Sequence, residues 1–214
     1  MPEEPELRVN RLERRKQRTR DALIKAAQML IAEGRLNVPV LEITQAADVG
    51  MGSFYNHFDS KEQLFDAAVE EVLDRHGAVL DHLTADIEDP AAVFACSFRL
   101  SGRFFRERPQ ESRILLANWA TLLSSDKGLA PRALRDIKAA VAAGRFTVDD
   151  AELALAIAGG TLMGVGHLLQ SQPHRDAAAT SDAATEGVLR LFGMSAGDAR
   201  EVCSTPLPEL EFQA

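Results

Sequence analysis

Residues 49–61 read VGMGSFYNHFDSK, and they restrict the fold more than any other stretch of the chain. Ahead of them, Leu41 to Ala47 predicts a short helix that buries Ile43 and Ala47. Behind them, Ser60 and Gln63 form a capping-box pattern from which Leu64, Ala68 and Val72 continue at helical spacing, predicting a long helix. Only Asp48-Val49-Gly50 separates the short helix from the next. So brief a connection needs a tight turn with a residue at positive φ, normally Gly, and Asp is among the few others that tolerate it. Within the stretch, helical periodicity puts Phe54 and Phe58 on one face, while Ser53, Tyr55, Asn56 and His57 spread over the opposite and flanking faces. Two such helices need a neighbour to pack on, and it lies upstream. Leu23, Ala27 and Leu30 recur at i, i+4, i+7, Ile24 and Ile31 widen the stripe, and Gly34 supplies the left-handed residue that ends a helix. This first helix is expected from Arg14, with residues 1–12 flexible for want of a sustained apolar period.

The rest continues in the same manner. Asp89-Pro90 is an N-cap and N1 pair that starts a helix running to about Glu107, where Pro109 interrupts. Further helices are expected at about 110–124, 131–143 (ended by Gly144), 148–171, 181–192 (ended by Gly193) and 196–203. Ala, Leu, Glu, Gln and Arg fill the segments, and alternating β-branched runs are missing, which defines an all-α chain. The organisation expected is a basic arm and three-helix helix-turn-helix module over 1–60, joined without a low-complexity linker to a helical bundle over 61–214. Cys96 and Cys203 are the only cysteines and lie far apart, so no disulfide framework, metal site or cofactor is expected, and a reducing cytoplasm fits.

The net charge of -8 argues against nucleic acid until it is divided. Residues 1–61 carry ten Lys/Arg against nine Asp/Glu, and the remainder fourteen against twenty-three. Between Arg8 and Lys25, eight basic residues, among them Arg14, Arg15, Lys16 and Arg18, face only Glu13 and Asp21. Such a block is either a solvated helix face or an arm that follows phosphates. Tyr55, Asn56, His57 and Ser53 can each bond phosphate oxygens or base edges, and Gly52 lets the backbone approach DNA. Lys61 opens the fourth helix, whose N-terminal amides add to phosphate attraction.

At these residues the chain resembles the TetR family of bacterial transcriptional regulators. VGMGSFYNHFDSKEQLF follows the family's turn, recognition helix and start of helix four, and the likeness extends over residues 14 to about 75. The resemblance implies phosphate contacts from Tyr55, His57 and Lys61, and places Met51, Gly52, Ser53 and Asn56 nearest the bases. It also implies a ligand-responsive homodimeric repressor of a palindromic operator. The chain departs from the family pattern at Val38-Pro39 and Leu41, where a capping Thr and a basic residue are common, and at Gly50 and Met51. Several ordinary phosphate contacts are therefore missing, and the arm from Arg8 to Arg20 is expected to replace them.

Residues 153–174 contain no charged side chain, enough for a membrane span by length. Four glycines, His167 and two glutamines dilute the segment, and no basic excess flanks one side, so a helix buried in an assembly is expected instead. By resemblance this helix and the next form the dimer bundle, with Gly160, Gly164, Val188 and Leu191 at the interface. Phe98, Phe105, Trp119, Met163 and His167 are the expected lining of a pocket for a small-molecule effector, with ordinary core as the alternative. Arg99, Arg103 and Arg106 are expected on a solvated face, with a clamp for an anionic ligand as the alternative. A second function remains open: a helical small-molecule carrier or enzyme whose N-terminal helices are structural. No paired-carboxylate, nucleophile-elbow, phosphate-loop or HExxH pattern accompanies it.

Overall fold

The computed structural model describes residues 4–118 and 128–208, with side chains from Glu13 onward. Among these residues it is all-helical, and it divides into two compact units, Met1–Glu71 and Val72–Ala214.

The first unit holds α1 (Glu4–Ala32), α2 (Val40–Ala46), α3 (Met51–Phe54) and the opening turns of α4 (Lys61–Leu83). Leu23, Ala27 and Leu30 are buried as the spacing requires, together with Ile24, Ile31, Ile43, Phe54, Phe58, Leu64 and Ala68. The Gln28 side-chain amide donates to the Ala68 carbonyl at 3.2 Å, tying α1 to α4. Helix α1 stops at Gly34, whose φ is +74°. It starts at Glu4, well before Arg14, because helix formation does not need an apolar face when straight-chain residues follow one another and Glu4 and Glu6 occupy the first turn. Asp48, at φ +53°, takes the left-handed position of the turn, and Gly50 stays extended as the N-cap of α3. The recognition segment is shorter than a full helix. Only Met51–Phe54 is helical, and Tyr55, Asn56 and His57 follow in a turn closed by the His57 and Phe58 amides donating to the Phe54 carbonyl. Ser60 caps α4 by accepting from the Gln63 amide at 3.1 Å, while the Gln63 side chain accepts from the Asp59 amide.

The second unit continues α4 and adds α5 (Pro90–Glu107), α6 (Pro109–Ala117), α7 (Leu129–Ala142), α8 (Ala151–Ser171), α9 (Ala177–Leu191) and α10 (Ala196–Ser204). Helix α5 is its centre and packs on every later helix. Asp89 caps it through the Ala91 amide, as the Asp-Pro pair predicts. Phe94, Phe146 and Phe192 form a triangle with ring centroids 5.2 to 5.7 Å apart, the heart of a core that Ile137, Ala158, Val188 and Leu189 complete. Where α5 meets α9 the backbones come close: a Cβ on Gly102 would strike Ser181, so only glycine fits. Helix α9 begins at Ala177 rather than near Ser181, since Asp176 caps it and three alanines propagate it. Cys96 and Cys203 are both free and buried, and burial raises their thiol pKa values, Cys203 to about 11.

The expected solvated arginine row is corrected by this packing. Arg99 is buried, donating to Asp182 at 2.8 Å and to the Thr205 carbonyl at 2.8 Å. Arg103 donates to the same carboxylate at 3.0 Å, and Arg106 to the Gln172 and Arg175 carbonyls. The row therefore fastens α5 to α9 and the chain around it. Helix α8 is long and apolar enough to cross a membrane, but one face is built into the core through Ala154, Ala158, Val165 and Leu169. One such helix is weak evidence for a membrane.

Candidate nucleic-acid interface and ligand cavity

In the first unit the tight turn controls what faces outward. With Phe54 and Phe58 buried, the turn after α3 leaves Tyr55 60 % exposed, its ring edge-on to Phe54 at 5.2 Å, and Asn56 beside it in solvent. Met51 and Leu41 are also exposed, as is Gly52, where an added Cβ would meet nothing within 4 Å; Ser53 is half-buried. Neither α2 nor α3 has a side-chain cap, since their N-caps are Pro39 and Gly50.

The basic block meets this surface at one point. Glu13, Arg14, Lys16, Gln17 and Arg20 line a cleft with His57. Burial, then the nearby Lys16 and Arg20 charges, pushes the His57 pKa below its ordinary 6.5. Arg20 lies 5.3 Å over the Phe58 ring, a cation–π contact that fixes α1 against the turn. Arg20, the last residue of the basic arm, belongs to the cleft, one helical turn beyond Lys16. Arg15 and Arg18 are exposed and stand outside the cleft. Lys61 donates to the Asn37 side chain at 3.2 Å and the Val38 carbonyl at 3.4 Å, so it also braces the loop before α2.

In the second unit a cavity of about 70 Å³ opens between α4, α5, α7 and α8. Its apolar wall is Leu80, Phe94, Phe98, Leu129, Ala133 and Leu162, and its polar wall Asp81, Ser97, Ser101, Arg132 and Asp136. Arg132 donates to Asp81 at 2.7 Å and Arg135 donates to both Asp81 and Asp136 at 2.9 Å. Burial raises Asp81, but the hydrogen bonds from Arg132 and Arg135 outweigh it and hold the carboxyl below its ordinary value. For Asp136 burial wins and the pKa is raised. Ser101 is held by His76 at 3.0 Å, and burial lowers the His76 pKa to about 4, so the imidazole is neutral; its Nδ1 has no partner among the described residues.

Of the expected pocket residues, Phe98 lines this cavity. Phe105 is buried against Gly166, Met163 is buried elsewhere in the bundle, and His167 points to solvent with Nδ1 at 2.9 Å from the Met163 carbonyl, because the helix turns that face outward. Trp119 lies outside the described residues. The polar half of the site was missed, although the Arg132, Arg135, Asp136 spacing on α7 signals one charged helical stripe. Among the expected dimer residues, Gly160 and Gly164 face outward on α8 with open space over them, and Leu191 is 68 % exposed on α9. Val188 is a correction: it is 1 % exposed and belongs to the protomer core, because its neighbours on α9 point at the phenylalanine triangle. Leu153, Ile157 and Gly187 join the outward face instead.

A helical tight-turn module with an exposed polar turn, followed by a separate helical unit holding a cavity, defines a helix-turn-helix regulator. Residues 23–68 match the family model described as bacterial regulatory proteins, tetR family, and residues 89–205 match the tetracyclin repressor-like C-terminal domain. The chain belongs to the TetR family and is a DNA-binding transcriptional regulator. It is 33% identical over 84 residues to the HTH-type transcriptional repressor KstR2 of Mycolicibacterium smegmatis, a match spanning 37% of this chain and 41% of that repressor. It is similar to RolR along nearly its whole length. The ligand-free RolR structure is 35% identical with a TM-score of 0.74, covering 89% of this chain and 98% of RolR. The RolR complex with resorcinol is 33% identical with a TM-score of 0.65, covering 92% and 98%.

Proposed function

We propose that the protein is a cytoplasmic homodimeric repressor that binds a palindromic operator through the turn after α3 and the basic face of α1, and releases it when a small hydroxylated aromatic molecule enters the cavity. The observation that carries the DNA reading is the cleft in which Arg14, Lys16 and Arg20 converge on His57 beside the exposed Tyr55 and Asn56. Tyr55, His57 and Lys61 serve phosphates, Met51, Gly52, Ser53 and Asn56 meet bases, and Arg14, Arg15, Lys16 and Arg18 follow the backbone. The boundary between reader and effector unit falls near residue 60, with α4 common to both.

The ligand reading rests on a cavity that combines Phe94 and Phe98 with carboxylates and hydroxyls, and is supported by the resorcinol complex of RolR. Dimerisation is supported by the charge-poor outward face of α8 and α9, where glycines leave room for close helix approach. Two reading heads one DNA turn apart would match a palindrome. The carrier or enzyme alternative gives the exposed Tyr55 and Asn56 no role.

The test is selection of bound fragments from genomic DNA at two salt concentrations, with the whole chain and with residues 1–17 deleted. An inverted repeat, and a shallower salt dependence after deletion, is the expected result. Recovery of no common sequence would remove the operator reading, and an unchanged salt slope would remove the arm from it.

A further inference from the structure

His57 is the only histidine of the first unit, and no other side chain in its cleft has an ordinary pKa near neutrality. The cleft has a volume of about 540 Å³ and is open to solvent. Helix α1 contributes Glu13, Arg14, Lys16, Gln17 and Arg20, and the turn after α3 contributes the imidazole. Arg14 and Lys16 are exposed, and Arg20 is held in place by the Phe58 ring 5.3 Å away. Among the described residues none of the three cations closes an ion pair with a carboxylate, and neither ring nitrogen of His57 makes a hydrogen bond.

Without DNA, three positive charges and one negative charge surround a base that can itself become positive. Glu13 faces the ring from α1, Asp59 lies two residues further along the turn, and Lys61 and Glu62 open α4. On α2, Glu42 is engaged by Arg35. Burial, then the Lys16 and Arg20 charges, still leaves the His57 pKa below 6.5, so at pH 7 the free protein carries a neutral ring. A phosphodiester in the cleft reverses the sign of the field. It keeps its negative charge throughout this pH range, offsets the cations that oppose protonation, and an anion within roughly 4–6 Å of an imidazole favours the charged form. The imidazolium also offers two N–H donors where the neutral ring offers one.

We propose that operator binding takes up a proton at His57 of each reading head, so that the protein holds DNA more tightly as the pH falls through neutrality. This rests on the operator reading given under Proposed function and adds a regulation to it. The direction follows from linkage. Above the DNA-bound pKa the ring is neutral with and without DNA, and affinity does not depend on it. Between the bound and free values each head carries a proton into the complex, and affinity rises as the pH falls. Below the free value the ring is charged in both states and the rise stops. The other four histidines stand in the second unit, where His76 is buried and neutral down to about pH 4.

The experiment follows the His57 ring by NMR titration, free and with the operator duplex recovered by selection, the signal being assigned by its loss in His57→Gln. Operator affinity is measured in parallel by fluorescence anisotropy at constant ionic strength, because phosphate contacts make binding depend on salt. Expected is a midpoint below 6.5 in the free protein, raised above it in the complex, and a higher free-state midpoint in Lys16→Gln, which lacks one of the opposing charges. Wild-type affinity should be about tenfold higher at pH 6 than at pH 8, with a flat response in His57→Gln. Calorimetry of the wild type at pH 7 in two buffers of unequal ionisation enthalpy counts the proton directly, whether or not His57→Gln still binds. A midpoint that does not rise on binding, or the same heat in both buffers after correction for dilution, would overturn the proton uptake. A wild-type protein that binds no selected duplex at either pH would overturn the operator reading and this inference with it, and the wild-type binding curve tells the two failures apart.

Discussion

Leu41 and Met51 stand where relatives commonly carry polar or basic side chains, and both are about half exposed. An apolar side chain in the major groove has one specific partner, the C5-methyl of thymine. Uracil in place of single thymines in the operator should weaken binding about fivefold where Met51 or Leu41 makes contact, and the effect should vanish in Met51→Ala or Leu41→Ala. Anisotropy titrations with the substituted duplexes read it directly. His76 gives a second residue-level prediction. Buried beside Phe104 at 4.3 Å, it stays neutral down to about pH 4, whereas the unfolded chain protonates it near its ordinary 6.5. Above that value it contributes no pH dependence; as the pH falls from 6.5 to about 4 the unfolded state gains the proton first, and stability drops by about 3 kcal/mol at the limit. Urea melts at pH 7 and pH 4.5 should show His76→Phe losing less stability over this range than wild type. Neither effect is legible in sequence alone to the same degree. The exposed aromatic turn is announced by Tyr55 standing between two buried phenylalanines, but a histidine on a helix shows nothing of its burial until its neighbours on α5 are known.

At the scale of elements, local signals located the helices well wherever a cap or a glycine marked an end. Asp89-Pro90, Ser60 with Gln63, Gly34 and Gly144 all sit at the expected boundaries. The misses share a cause: α1 and α9 start early because helix propensity and an N-cap can begin a helix before any apolar periodicity appears. The arginine row failed differently. Arg99, Arg103 and Arg106 lie on α5 at spacings that suit a solvated stripe, and their partner Asp182 is far away in sequence. Hydrogen bonds from Arg103 and Arg99 overcome the burial that would raise Asp182 and hold it below its ordinary 3.8, so the pair stabilises above that pH and is lost as acid titrates the lower folded-state value. Arg99→Met, which keeps the length and removes the charge, should cost about 2 kcal/mol in urea denaturation at pH 7, because Asp182, 31% exposed, keeps Arg103 but loses the charged hydrogen bond from the buried Arg99. A cost below 0.5 kcal/mol would show the contact to be incidental.

At the scale of the whole molecule, the outward face of α8 and α9 is where association is expected. Leu153, Ile157 and Leu191 are exposed around glycines that have nothing over them. Ile157→Glu with Leu191→Glu should give a monomer by sedimentation velocity while circular dichroism is unchanged, and should cost operator affinity a hundredfold or more, since one half-site is left to bind alone. Val188→Glu is the contrast, and should unfold the bundle instead. The family and the reading module were legible because a tight turn constrains sequence locally. Of the cavity lining only Phe98 was legible, and through the family resemblance rather than through its spacing, which reads equally as core; Leu80, Leu129 and Leu162 look like ordinary core, and Asp81 from α4 meets Arg132 and Asp136 from α7, each resembling an ordinary surface charge.

The two cysteines have a practical consequence. Cys96 and Cys203 are 6 % and 4 % exposed, and burial keeps their thiols protonated, so the native protein presents almost no thiolate to an alkylating reagent. A single cysteine introduced at the exposed Glu62 can then take a nitroxide without removal of the natural pair. In the proposed homodimer, pulsed dipolar spectroscopy on that Glu62→Cys protein would report the spacing of the two heads as one spin–spin distance, in the protein's own sequence but for one residue, with resorcinol, with operator and with neither.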